Sequence, residues 1–214
     1  MKKLLSLCLM TVLLWSMTGT AQAQMPVHGE TVVTADAYLP DIAIDVSVPI
    51  SGEIQINPYR FPVKIGPTVQ NDQIVSGTFS IENRSVVPLR VNVEVIAEVK
   101  RESDMRLRSE STAGQDIVMK DAFIYFEFKT VSSLGSVEWA DEFDEGQHIV
   151  VREFQGIRKN FAIIGAADQE KHYGAFRLTG DCVENPREPW TEQDGINVEI
   201  IFTFLPLPVG TEIP

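Results

Sequence analysis

Leu89-Arg90-Val91-Asn92-Val93-Glu94-Val95 places an aliphatic side chain at every second position and a polar one between. A period of two puts alternate side chains on opposite faces of an extended chain, so this stretch predicts a strand with one greasy and one wet face. The same rhythm recurs on both sides of it. Ile42, Ile44, Val46 and Val48 alternate with Ala43, Asp45 and Ser47, until Pro49 and Ser51-Gly52 stop them. Ile54 and Ile56 resume the pattern until Asn57-Pro58. Thr78 to Glu82 turns Phe79 and Ile81 inward. Phe123 to Phe128 is aromatic-rich, and Ile149 to Val151, Phe161 to Ile164 and Tyr173 to Leu178 are shorter. Ile196, Val198, Ile200, Phe202 and Phe204 close the series on one face.

β-Branched and aromatic residues fill these segments, as a pleated, half-buried surface favours. Turn formers separate them, among them Pro62, Gly66-Pro67, Asn71-Asp72, Pro88, Gly165, Gly180 and Asp194-Gly195. Short strands at this spacing, with no strand-helix-strand alternation, predict an all-β chain folded as a two-sheet antiparallel sandwich, jelly-roll or immunoglobulin-like. The domain occupies residues 41–214. Lys100 to Lys120 interrupts it with a polar stretch that reads as an exposed loop or hairpin tip, and Ala166 to His172 has the composition of one helical turn.

The N-terminus carries an address. Lys2 and Lys3 precede an apolar run from Leu4 to Trp15, and small residues follow up to Ala21-Gln22-Ala23. That order predicts a secretory signal over residues 1–23, too short in its apolar part to span a bilayer comfortably. Cys8 lies inside the apolar run and not at its end, which does not suit lipid attachment. Residues 24–40 form an arm in which Thr31-Val32-Val33-Thr34 can extend as a strand. No later run is long enough for a membrane span, so the expected location is secreted or cell-surface.

The 214 residues include 30 acidic and 18 basic side chains, a formal charge of −12. Removing residues 1–23 takes away Lys2 and Lys3 and no acid, which leaves −14. Such a surface argues against nucleic acid as a partner, because phosphate backbones are met by basic faces. Cys182 would be the sole mature cysteine, which rules out an internal disulfide. It reads either as a buried small hydrophobe or as half of an intermolecular bridge.

Candidate chemistry is sparse. His28, His148 and His172 lie far apart and outside any His-Glu-x-x-His pattern, and no nucleophile elbow or phosphate loop occurs. The chain is therefore read as a non-enzyme without catalytic residues and without a cofactor, calcium excepted. Asp141, Glu142, Asp144 and Glu145 crowd carboxylates on one segment, and oxygen-loving calcium relieves such repulsion. A solvated acidic loop is the alternative. Trp139 and Trp190 sit among polar neighbours, which suits either stacking on a glycan or capping the sandwich core. Asn83-Arg84-Ser85 is a glycosylation sequon.

Three features together carry a family resemblance: the strand Ile42 to Val48 ending at Pro49, the run from Ser76 through Asn83-Arg84-Ser85 to Val93, and Gly174 to Gly180 followed by Pro189-Trp190 and the last strand. In this order the chain resembles exported sandwich proteins of Gram-positive bacteria of the camelysin and TasA type. The resemblance implies a jelly-roll-like sandwich whose Asn-x-Ser unit links the two sheets. It also implies assembly into extracellular fibres by a donated N-terminal strand. In this chain the donor would fall within Thr31 to Val48, with Val32, Val33, Ile42, Ile44 and Val46 as its apolar contacts. Independently, an open sandwich exposes edge strands whose unpaired backbone groups a β-rich arm can fill. The expected role is thus a secreted structural or surface protein, self-associating as a fibre or biofilm-matrix subunit or binding other surface proteins. An adhesin or carbohydrate-binding module is the alternative.

Overall fold

The computed structural model describes residues 44–214 apart from 50, 67, 141, 155 and 156. The expected signal (1–23) and arm (24–40) lie outside the described residues, as do Val32, Val33, Ile42 and Asp141.

The chain is all β. Among the described residues thirteen strands follow in order: β1 (Val46–Ser47), β2 (Ile54–Ile56), β3 (Val63–Ile65), β4 (Thr68–Gln70), β5 (Ile74–Ser76), β6 (Phe79–Asn83), β7 (Leu89–Val99), β8 (Arg106–Leu107), β9 (Asp121–Val131), β10 (Ile149–Val150), β11 (Ile157–Ile164), β12 (Tyr173–Cys182) and β13 (Ile196–Pro206). One sheet runs β1-β6-β12-β9-β10 and the other β11-β7-β13, with β2–β5 and β3–β4 as separate two-stranded ladders. All these pairings are antiparallel. β8 lies parallel beside the start of β9, and a single parallel bridge joins Ala97 to Glu153. The two main sheets face each other, as an antiparallel sandwich requires.

The core follows from the alternation. On β7, Leu89, Val91, Val93, Val95 and Ala97 are buried while Arg90, Asn92, Glu94 and Ile96 are only partly covered. On β13, Ile196, Phe202 and Phe204 are buried on the face that also carries Val198 and Ile200. An aromatic cluster bridges the sheets. Phe126 of β9 lies 5.6 Å from Phe176 of β12, and Phe176 lies 5.1 Å from Phe202 of β13. Each such ring contributes about 1.5–3 kcal/mol by leaving water. Strands β9, β11 and β12 all extend beyond the runs the pattern picks out.

The Asn83-Arg84-Ser85 unit is the hinge between sheets. The Asn83 carboxamide donates to the carbonyls of Val87 (2.9 Å) and Gly165 (2.7 Å), and its oxygen accepts from the Ser85 amide (2.9 Å). Asn83 is fully buried with its nitrogen committed, so in the folded chain it is not a glycan acceptor.

Two expectations need correction. Lys100 to Lys120 is neither exposed throughout nor a hairpin tip: it crosses from β7 in one sheet to β9 in the other. Met105, Thr112 and Lys120 are buried within it. Asp181 of β12 holds its middle by accepting from the Ser111 hydroxyl (2.6 Å) and the Thr112 amide (2.7 Å). Hydroxyls that read as solvent-seeking are instead partners for a carboxylate on the sheet. Ala166 to His172 forms turns and no helix.

Candidate functional site

Strand edges are the first candidate. β1 pairs only two residues with β6, Val46 opposite Asn83 and Ser47 opposite Glu82. Further along, β2 pairs with β5 from Ile54 opposite Ser76 to Ile56 opposite Ile74. β1 and β2 thus pair in turn with β6 and β5, in two separate ladders, and Pro49 just after β1 brings no amide to a ladder. Ile44, Val46 and Val48 pack against the core from this edge. Position 85 pins its start: Ser85 Oγ accepts from the Asp45 amide at 2.9 Å. On the second sheet, β13 presents an outer edge with no strand beside it among the described residues.

Of the acidic segment, Glu142, Asp144 and Glu145 are among the described residues, all exposed. Phe143 points into the protein, edge-on to Phe123 (5.1 Å between centroids, 88° between planes) and 5.1 Å from Tyr125. Asp144 spends its carboxylate on its own turn, accepting from the Gly146 amide (2.7 Å) and the Gln147 side chain (2.8 Å). Glu142 and Glu145 face solvent. Among the described residues no group of three or more His, Cys, Asp or Glu is placed to hold a metal ion.

This segment covers the outer face of β9. Glu127 there is 1% exposed, and its carboxylate accepts from Arg177 Nε and from the Ala140 amide, both at 2.9 Å. His148 Nε2 lies 3.7 Å from Glu127 Oε1. The Asp144 amide donates to His148 Nδ1 at 2.8 Å, which fixes the neutral tautomer with its proton on Nε2. Burial lowers the His148 pKa below its ordinary value, against the pull of Glu127 and Asp144. A carboxylate, a guanidinium and an imidazole thus meet under a closed cover, where they clamp the segment 138–148 onto the sheet.

Both tryptophans are half-buried. Arg177 Cζ sits 4.7 Å over the Trp139 ring and covers one face. Trp190 packs against the core and donates Nε1–H to the Val183 carbonyl at 2.7 Å. Exposed aromatic rings instead occur at Tyr59, Phe61 and Phe154, which the pattern does not single out. Tyr59 and Phe61 stand on a loop that Asn57 brackets, donating to the Phe61 carbonyl (2.8 Å) and accepting from its amide (3.0 Å). Cys182 is buried, and burial first, then Asp181, pushes its thiol up to about 12.

No family profile, no curated protein and no solved structure matches the chain.

Proposed function

We propose that this chain is a secreted or cell-surface structural protein, a subunit of an extracellular fibre or matrix that assembles by strand donation. One observation carries the reading. Val46 and Ser47, the end of the donor segment expected within Thr31 to Val48, lie on the outer edge of the main sheet against Asn83 and Glu82, with Ile44 and Val46 packed on the core. A segment that completes an edge within its own chain has the backbone and side-chain pattern to complete the same edge in a neighbour. Such head-to-tail pairing need not close, so it builds filaments. The carbohydrate-binding alternative through Trp139 and Trp190 draws no support from their packing.

The test compares residues 24–214 with a truncation lacking 24–40, by light scattering and electron microscopy. The longer chain is expected to form filaments and the truncated one to stay dispersed. If both assemble alike, or neither does, the arm is not the donor.

A further inference from the structure

A surface cleft of about 490 Å³ opens where β7 leaves its sheet and the crossover begins. Lys100, Arg101 and Arg106 line it together with Val99, Met105 and Leu107, and Glu153 is the acid among its lining residues. Its volume falls within the roughly 300–1,000 Å³ usual for ligand sites. The lining thus carries three cations against one acid, in a chain whose formal charge is −12. Arg60, Arg84, Arg108, Lys120 and Arg177 all have carboxylate partners. No ion pair engages Lys100, Arg101 or Arg106 among the described residues.

The backbone that carries the three cations is pinned. The Lys100 amide donates to the Gly195 carbonyl, the Ser103 amide to the Lys100 carbonyl and the Arg106 amide to the Lys120 carbonyl, each at 2.9 Å. Ser103 Oγ donates to Asp194 (3.0 Å) and accepts from the Met105 amide (3.2 Å). Lys120, buried beneath, pairs with Asp104 at 2.8 Å and Asp194 at 3.0 Å. A fixed scaffold with uncommitted charged ends lowers the ordering cost of binding. Beside Glu153, Phe154 holds a left-handed backbone (φ 58°) and leaves its ring 70% exposed. Its amide reaches the Ala97 carbonyl at 3.4 Å, two residues before the cleft begins. Strain of this kind in a non-glycine residue persists where the surroundings enforce it, and it gathers at binding sites.

We propose that this cleft binds an acidic polysaccharide, with a carboxylate or phosphate group of the polymer on Lys100, Arg101 and Arg106 and a sugar ring against Phe154. A nucleic-acid duplex fits less well. It carries one charge per about 1.7 Å of axis, and beyond three cations it would meet a strongly acidic surface. The site is separate from the β1 edge and does not depend on strand donation.

The experiment measures binding of the folded chain to polygalacturonate, to a glycerol-phosphate glycan polymer, to neutral dextran and to duplex DNA, at low and high salt. At least one of the two acidic glycans is expected to bind, more weakly at high salt, and which one binds identifies carboxylate or phosphate as the anion. The double variant Arg101→Gln, Arg106→Gln is expected to lose about tenfold or more in affinity, since each removes a charge-assisted hydrogen bond. Glu153→Gln should tighten binding severalfold, and this gain distinguishes the site from a folding defect. The proposal is overturned if neither acidic glycan binds, if dextran or DNA binds equally well, or if the double variant binds as the parent does. Weaker binding by Glu153→Gln overturns it too. So would salt-sensitive self-association without polymer that the double variant abolishes, because the cleft would then belong to the acidic loop of a second copy.

Discussion

Replacing Glu127 by Gln should cost about 2–3 kcal/mol of folding stability, the lower end of the roughly 3–5 kcal/mol range for breaking a buried ion pair and slightly below it. The structure sets that figure. Glutamine keeps the shape and can still accept from the Ala140 amide, now 2.9 Å from Glu127 Oε1. It loses the charged acceptor for Arg177 Nε and turns a donor toward a donor, or gives up the Ala140 bond. Arg177 is partly exposed and stays stacked on Trp139, so water relieves some of the loss. Against a typical total of about 5–15 kcal/mol, this is a large fraction. Urea unfolding followed by tryptophan fluorescence measures the global cost, and hydrogen exchange at the Ala140 amide reports opening of the cover. The double variant Glu127→Leu, Arg177→Met should recover part of the loss, because it removes both desolvated charges. A Glu127→Gln cost below about 1 kcal/mol, or a double variant as costly as the two singles combined, would refute the clamp.

The clamp also predicts a pH response. His148 is held neutral, its pKa lowered chiefly by burial, so the unfolded chain takes up a proton near pH ~6.5 while the folded chain does not. Stability contributed by His148 is therefore flat above that pH and falls as the solution is acidified below it. The variant His148→Asn, which keeps an acceptor for the Asp144 amide, should lose this part of the slope in urea titrations, and an unchanged slope would count against it. Cys182 should resist alkylation at neutral pH in the native protein and react only as the chain opens; rapid labelling of the folded form would contradict its burial. Gly180→Ala should cost at least about 2–3 kcal/mol by thermal unfolding, since φ is 147° and the new Cβ would lie 1.9 Å from the Phe123 carbonyl oxygen.

How far the sequence reveals this fold depends on how many faces of a strand are buried. β7 and β13 each have one wet face, so their alternation stands out and their inward residues are read correctly from Leu89 to Val95 and from Ile196 to Phe204. β9 has no wet face over most of its length. Phe123, Tyr125 and Glu127 point away from the sandwich core, yet each is buried under the segment 138–148 or its neighbours. With alternation erased, only its aromatic stretch shows, and Asp121 and Lys129 at its flanks look like loop. Short ladders such as β3–β4 have too few residues to show a period at all. The start of β11, Ile157-Arg158-Lys159-Asn160, is mostly polar and hides for the same reason.

The candidate sites failed to announce themselves for a related cause. A residue's neighbours in sequence say little about its neighbours across a sheet. Trp139 has polar residues beside it along the chain, but the group that covers its ring is Arg177, brought there from β12. Glu142-Phe143-Asp144 reads as carboxylates with an incidental phenylalanine, whereas Phe143 is the anchor, Glu142 faces solvent and Asp144 closes its own turn. The same inversion applies to Lys100-Arg101 and Arg106. Within a polar stretch they look like ordinary solvated charge, and the crossover, whose backbone is held at Gly195 and Lys120, gathers them, still exposed, around one cleft. Three basic residues within seven, with Glu102 and Asp104 between them, are the signal a strongly acidic chain offers here, and its meaning requires the fold.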